Sequence, residues 1–236
     1  MLVLSATILV AGAFQLHPGA GQPVSTTRYV LLTFDDGPDP RYTPQVLSVL
    51  RQQGAKAVFF VVGKQVEAHP ELLRDILAGG HTLGNHTFTH ASINGKTPGE
   101  VLEEVRRTDS IVAEITGENL RWFRPPRGFY TERNYLTLQQ AGKVVVMWDA
   151  GLEKERIKEP AALVDYLTFR VKGKDNLVLL LHDGDPDNSH DRTTTVEALP
   201  LLIDELRRLG YSFVDPSSVE GQEFISSYAV THQRYK

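Results

Sequence analysis

The chain has 236 residues and a formal net charge of −4. That length suits one α/β barrel or, less well, two small domains, and the charge gives no reason to expect nucleic acid as a partner. The absence of cysteine excludes disulfide staples and thiolate metal sites, so any bound metal must be held by His and carboxylates.

Residues 1–14 carry no charged side chain and are mostly apolar. At roughly 14 residues this stretch is short for a membrane span, which needs about 20. It resembles the apolar part of a secretory signal, with Ala11-Gly12-Ala13 where a peptidase cuts, although the preceding basic residues are missing. The expectation is an extracytoplasmic protein, secreted or associated with the cell envelope, whose membrane contact is confined to this segment. A first strand or a truncated anchor is the competing reading. Residues 15–27 are rich in Gly, Pro, Ser and Thr and read as a linker. This sets residues 1–27 apart from a main folded domain over 28–216, with 217–236 as a polar tail. The oligomeric state is open.

From residue 29 the chain alternates regularly. Apolar, β-branched runs lie at 29–34, 57–62, 81–85, 120–123, 144–148, 177–181 and 211–214. Helical spacing fills 43–53, 70–78, 97–116, 131–140, 160–171 and 193–209, several of these closed by Gly, and Thr97 with Glu100 forms a capping box. Seven strands alternating with helices predict parallel βα units, because parallel strands need a crossover. The runs are almost wholly apolar, as strands covered on both faces should be. No Gly-rich phosphate loop follows the first run, which weakens a nucleotide-binding sheet. The expected fold is therefore α/β: a distorted (β/α) barrel of about seven parallel strands.

In such a barrel the active site lies at the C-terminal ends of the strands. Chemically capable residues collect there. The first run ends in Asp35-Asp36-Gly37-Pro38, the third in Asn85-His86 with His90 four residues on, and the fourth in Arg124-Pro125-Pro126-Arg127-Gly128. The fifth ends in Trp148-Asp149 and the sixth in His182-Asp183-Gly184. Each has a plainer reading. Asp-Gly-Pro is turn chemistry, a His pair is often coincidence, and a lone His after an apolar run is more often structural. The acidic stretch 183–191 reads as a solvated loop, since it lacks the Gly and the bidentate Glu of a calcium loop. The joint pattern outweighs these readings. Adjacent carboxylates can divide cation binding from base catalysis, and on a helical turn the four-residue spacing puts His86 and His90 on one side, where they can share a metal. Two His and an Asp make an open metal set, and amide hydrolysis needs a base, an acid and a polarising cation.

These residues resemble the polysaccharide deacetylases, the NodB-homology domains of carbohydrate esterase family 4. The motifs stand as Thr33-Phe34-Asp35-Asp36-Gly37, His86-Thr87-Phe88-Thr89-His90, Arg124-Pro125-Pro126-Arg127-Gly128 and Leu180-Leu181-His182, in the family's order, within residues 29–216. The resemblance implies one divalent metal, commonly zinc with cobalt an alternative, and an acetylated glycan such as peptidoglycan or chitin as substrate. It implies Asp36, His86 and His90 as metal ligands, Asp35 as base, Arg124 as its partner and His182 as acid. Leu180 would line the acetyl pocket, the Arg127 N–H would bind the oxyanion, and Trp148 would contact substrate. Many members carry Tyr where Arg127 stands. The fourth motif departs from the family: Gly151 occupies the usual Asp position, leaving Asp149 or Glu153 as the carboxylate near His182. Two other readings stand beside this one: hydrolysis of a small cyclic amide or an O-acetyl ester, and a catalytically weak glycan-binding relative.

Overall fold

The computed structural model describes residues 27–154 and 156–231, with side chains as far as 229. The signal-like segment lies outside the described residues. Among the described residues eight strands form one wholly parallel sheet. They are β1 (Arg28–Asp35), β2 (Ala57–Val61), β3 (Thr82–Asn85), β4 (Trp122–Phe123), β5 (Val144–Val145), β6 (Ala150–Gly151), β7 (Asn176–His182) and β8 (Tyr211–Phe213). The order runs β5-β4-β3-β2-β1-β7-β6, and β8 also pairs with β1. Strand β1 shares one edge between two partners: residues 28–30 meet β8 and residues 32–35 meet β2.

The run expected as a single strand over 144–148 is two strands. Val144–Val145 pairs with β4 and Ala150–Gly151 pairs with β7. The residues between them carry the chain from one edge of the sheet to the other and close a distorted barrel.

Strand periodicity then sorts the side chains. Val30, Leu32, Phe34, Leu177, Leu179 and Leu181 face the surrounding helices. Leu31, Val58, Phe60, Trp122, Val146 and Val178 fill the interior. Continuing the inner columns upward gives Thr33 and Asp35 on β1, Leu180 and His182 on β7, and Arg124 just past β4. The apolar floor and the polar mouth are thus the same faces of the same strands.

The helices are α1 (Thr43–Gln52), α2 (Gly63–Ala68), α3 (Pro70–Ala78), α4 (Pro98–Thr116), α5 (Glu132–Gln140), α6 (Pro160–Val171), α7 (Thr193–Arg208) and α8 (Val219–Thr231). Thr97 caps α4 through the capping box with Glu100. Residues 219–231, expected as polar tail, are helix α8. Its Ile225, Tyr228 and Ala229 join the interior cluster and plug the floor of the barrel. The packed domain therefore extends beyond residue 216. Among the described residues no helix is long and apolar enough to cross a membrane.

Candidate active site

Asp35 and His182 are register partners on adjacent strands, so the base and acid candidates stand side by side at the barrel mouth. Arg124 is fully buried. Its Nη1 donates to Asp35 Oδ1 at 2.8 Å and to Thr33 Oγ1 at 2.7 Å, and its Nε and Nη2 donate to the carbonyls of Val146 and Met147. The guanidinium lies 4.2 Å from the Phe60 ring centroid. A buried cation held by this many acceptors has one orientation, and it fixes that of Asp35.

Asp36, His86 and His90 each offer one donor atom, all within 4.8 Å of one another. Asp36 Oδ1 lies 3.5 Å from His86 Nε2 and 3.1 Å from His90 Nε2. His86 Nδ1 is 2.7 Å from the Arg124 carbonyl. That contact places a ring proton on Nδ1 and turns Nε2 toward Asp36, the nitrogen that would ligate a metal once it is deprotonated. Burial would raise the Asp36 carboxyl, but contacts from His86 and His90 outweigh it and hold the group well below the usual carboxylate range. Two imidazoles and an ionised carboxylate on one side of a cavity suit a borderline divalent cation, so the residues present fit the metal that the family implies.

The two histidines do not share a helical turn. Their segment is an irregular loop in which Thr87 and His90 have positive φ, 67° and 57°. Neighbouring elements hold it in place. Backbone N–H groups of Gly63 and Lys64, opening α2, donate to the carbonyls of Thr87 and Phe88. Glu104 on α4 accepts from the N–H groups of Phe88 and Thr89 at 3.0 and 2.9 Å and from Thr89 Oγ1 at 2.8 Å. Asn85 accepts from Thr87 N and ties α4 to the strand end. Replacing Glu104 by Ala removes three of these bonds and is expected to weaken zinc binding about 10- to 100-fold, the usual effect of losing an outer partner of metal ligands. Calorimetric zinc titration of the folded variant checks this, and an unchanged affinity would show that the loop holds itself.

His182 Nδ1 lies 3.1 Å from Glu153 Oε2. Glu153 Oε1 accepts from the His182 backbone N–H at 3.0 Å and from Thr195 Oγ1 at 2.9 Å. Burial would lower the His182 pKa, but the Glu153 carboxylate outweighs it and raises the ring to about 9. Asp149, named above as an alternative, is elsewhere. It accepts from Val178 N, Lys174 Nζ and the Tyr228 hydroxyl. The parallel register sets Ala150 beside Leu179, so Asp149 sits well below His182. Glu153 is two residues beyond Gly151, on the same face of the chain, and its longer side chain reaches the ring.

A cavity of about 290 Å³ joins these groups. Asp35, Asp36, His86, His90, Arg127, Trp148, Leu180 and His182 line it. Arg127 has φ 62°. The next residue, Gly128, packs on Trp148, where a Cβ would come within 2.6 Å of the ring. The stretch 183–191, expected as a solvated loop, walls the cavity, and its Asp183 and Asp185 are buried. Burial raises Asp183 to about 7, with only Thr43 Oγ1, 2.6 Å away, opposing through its side chain. Arg192 Nη2 contacts Asp36 Oδ2 at 3.2 Å. Neither Arg192 nor Glu104 carried a sequence signal, since each acts from a helix end or helix face remote in the chain.

The constellation is that of a metal-assisted amide hydrolase at the mouth of a βα barrel. Residues 23–146 match the family profile described as polysaccharide deacetylase. A peptidoglycan-N-acetylglucosamine deacetylase of Bacillus cereus is 34% identical over 81% of this chain and 88% of its own length. A chitooligosaccharide deacetylase of Bradyrhizobium sp. is 37% identical over 80% and 89% respectively. The solved structure of peptidoglycan deacetylase PdaC from Bacillus subtilis superposes with a TM-score of 0.69 at 28% identity, covering 87% of this chain and 95% of that one. The chain belongs to the polysaccharide deacetylase family and is a metal-dependent hydrolase of N-acetyl groups on polysaccharide amino sugars.

Proposed function

We propose that the protein, acting outside the cytoplasm with zinc in the Asp36–His86–His90 site, deacetylates N-acetylated sugars of a cell-wall or chitin-type glycan. The observation that carries this reading is one cavity lined by the metal donor set, Asp35 and His182, with Arg124 behind Asp35 and Glu153 behind His182. The substrates named for the relatives support the choice of glycan.

Held by Asp36, His86 and His90, a zinc ion would supply Lewis-acid polarisation of the acetamide carbonyl and ease deprotonation of water. The acetyl methyl packs against Leu180 and Trp148. Asp35, held by Arg124, takes a proton from the attacking water. The Arg127 N–H faces the oxygen that gains negative charge. His182, charged through Glu153, gives a proton to the departing nitrogen as the C–N bond breaks. Amide and water become acetate and a free amine, and the protons balance between base and acid.

The test is acetate release from chitin oligomers, peptidoglycan and O-acetylated xylan, with zinc or cobalt added and again after chelation. Chelator-sensitive release from the N-acetylated glycans is expected. Release from the xylan alone, or from none with metal bound, would refute the reading.

A further inference from the structure

The charges around the cavity are paired with two exceptions. Asp35 is matched by Arg124, Asp36 by Arg192, His182 by Glu153, and Asp185 by Arg41 at 3.8 Å. Arg127 and Asp187 also line the cavity and are exposed. Neither forms an ion pair among the described residues. Arg127 comes from the loop after β4, and Asp187 from the loop after β7. The pocket thus has on one wall a cation with no ion-pair partner among the described residues, and on another an anion whose charge acts on His90.

The Arg127 wall is rigid. The backbone at 127 is left-handed, two prolines precede it, and Gly128 packs on the Trp148 ring. A guanidinium offers a planar fork for a carboxylate, and the fixed backbone limits the region it can reach. Asp187 opposes the same group on the other wall, so an anionic substituent is tolerated on one side only.

We propose that Arg127 is a specificity residue that selects glycans bearing a carboxylate on, or next to, the sugar being deacetylated, such as a sugar with a lactyl ether or a uronic acid neighbour. This rests on the polysaccharide deacetylase reading and narrows its substrate class. The carboxylate accepts from the Arg127 guanidinium while the acetamide lies between Asp35 and His182, which also fixes the direction in which the chain crosses the cavity.

The test compares peptidoglycan glycan strands freed of peptide, which carry lactyl carboxylates, with the same strands after reduction of those carboxylates to alcohols. Chitin oligomers serve as a neutral control. For the wild type, KM is expected to be about tenfold lower on the carboxylate strands, the size of one charge-assisted hydrogen bond. The advantage should shrink with added salt. In Arg127→Gln the ratio of the two KM values should fall to about one, whatever the absolute rate, and Arg127→Lys should restore part of it. Equal KM values for the wild type, or a ratio that survives in Arg127→Gln, would overturn the proposal. The wild-type comparison alone decides if the variants fail to fold. Release from chitin oligomers but not from carboxylate strands would overturn this inference and leave the deacetylase reading standing. Release from no glycan would remove both.

Discussion

Asp35→Asn is expected to lower kcat by on the order of 10³-fold, within the usual span for losing a general base, while zinc still binds. The exchange is nearly isosteric. The remaining amide oxygen can still accept from Arg124 Nη1, which lies 2.8 Å from Oδ1 in the native pair. What is lost is the proton acceptor, and no other group replaces it: the Asp36 carboxylate is engaged by His86, His90 and Arg192. The proposed metal donors Asp36, His86 and His90 are untouched, so a calorimetric zinc titration should give an affinity close to that of the wild type. Stability will fall, because Arg124 is fully buried and loses its compensating charge, at a cost of up to about 3 kcal/mol. Kinetics should therefore be read well below the variant's melting transition, with circular dichroism as the control for folding. A kcat within tenfold of wild type would take the base role from Asp35. A parallel loss of zinc affinity would instead make it a ligand, a real alternative because Asp35 Oδ2 lies only 3.7 Å from His86 Nε2.

The inner columns of the barrel explain why the site was largely legible in the sequence. Residues 31, 33 and 35 share one face of β1, and 178, 180 and 182 share one face of β7. An apolar run that ends in Asp or His therefore announces both an interior strand and a polar mouth. Local rules stop where the chain changes partner without changing composition. Residues 144–148 form one apolar run, yet only Val144–Val145 pairs with β4, and the chain joins β7 at Ala150–Gly151, where no periodicity marks the crossing. The same crossing decides between Asp149 and Glu153. Only the register of β6 against β7 shows which carboxylate stands level with His182. Helix α8 was obscured by its Ser, Gly and Glu content. Its Phe224, Ile225 and Tyr228 fall at helical spacing but are too few to outweigh a polar average. Helix α2 has six residues, too short for a periodic signal. In the 86–90 loop a helical turn would put both rings on one side, but spacing alone does not reveal backbone sign, and positive φ at Thr87 and His90 brings the two rings together another way. Arg192 meets Asp36 across 156 positions, a contact that only the closed barrel creates.

Glu153→Gln is expected to lower kcat about 10²-fold at alkaline pH and to move the pH profile in a known direction. In the proposed mechanism the protonated His182 ring is the active form, and its pKa stands raised to about 9. Activity that depends on this proton is therefore present below about 9 and lost above it. Burial alone pushes the ring the other way, and the Glu153 carboxylate is the largest influence that outweighs it. Glutamine keeps an oxygen for the His182 backbone N–H and the Thr195 hydroxyl, now 3.0 and 2.9 Å from Oε1, so the strand end should hold its shape. Without the charge, burial prevails and the alkaline limb should retreat toward or below about 6.5, the ordinary histidine value. The defect should then be small at acidic pH and grow as pH rises. A purely structural role would lower kcat equally at every pH and leave the limb in place. Glu153→Asp separates charge from reach: it keeps the carboxylate on a shorter arm, so the limb should lie between those of wild type and Glu153→Gln. If kcat measured from acid to alkaline pH shows the same limb in wild type and Glu153→Gln, Glu153 does not hold the proton on His182, and the acid of this site must draw its charge from the Asp36 carboxylate, 3.9 Å from His182 Nε2.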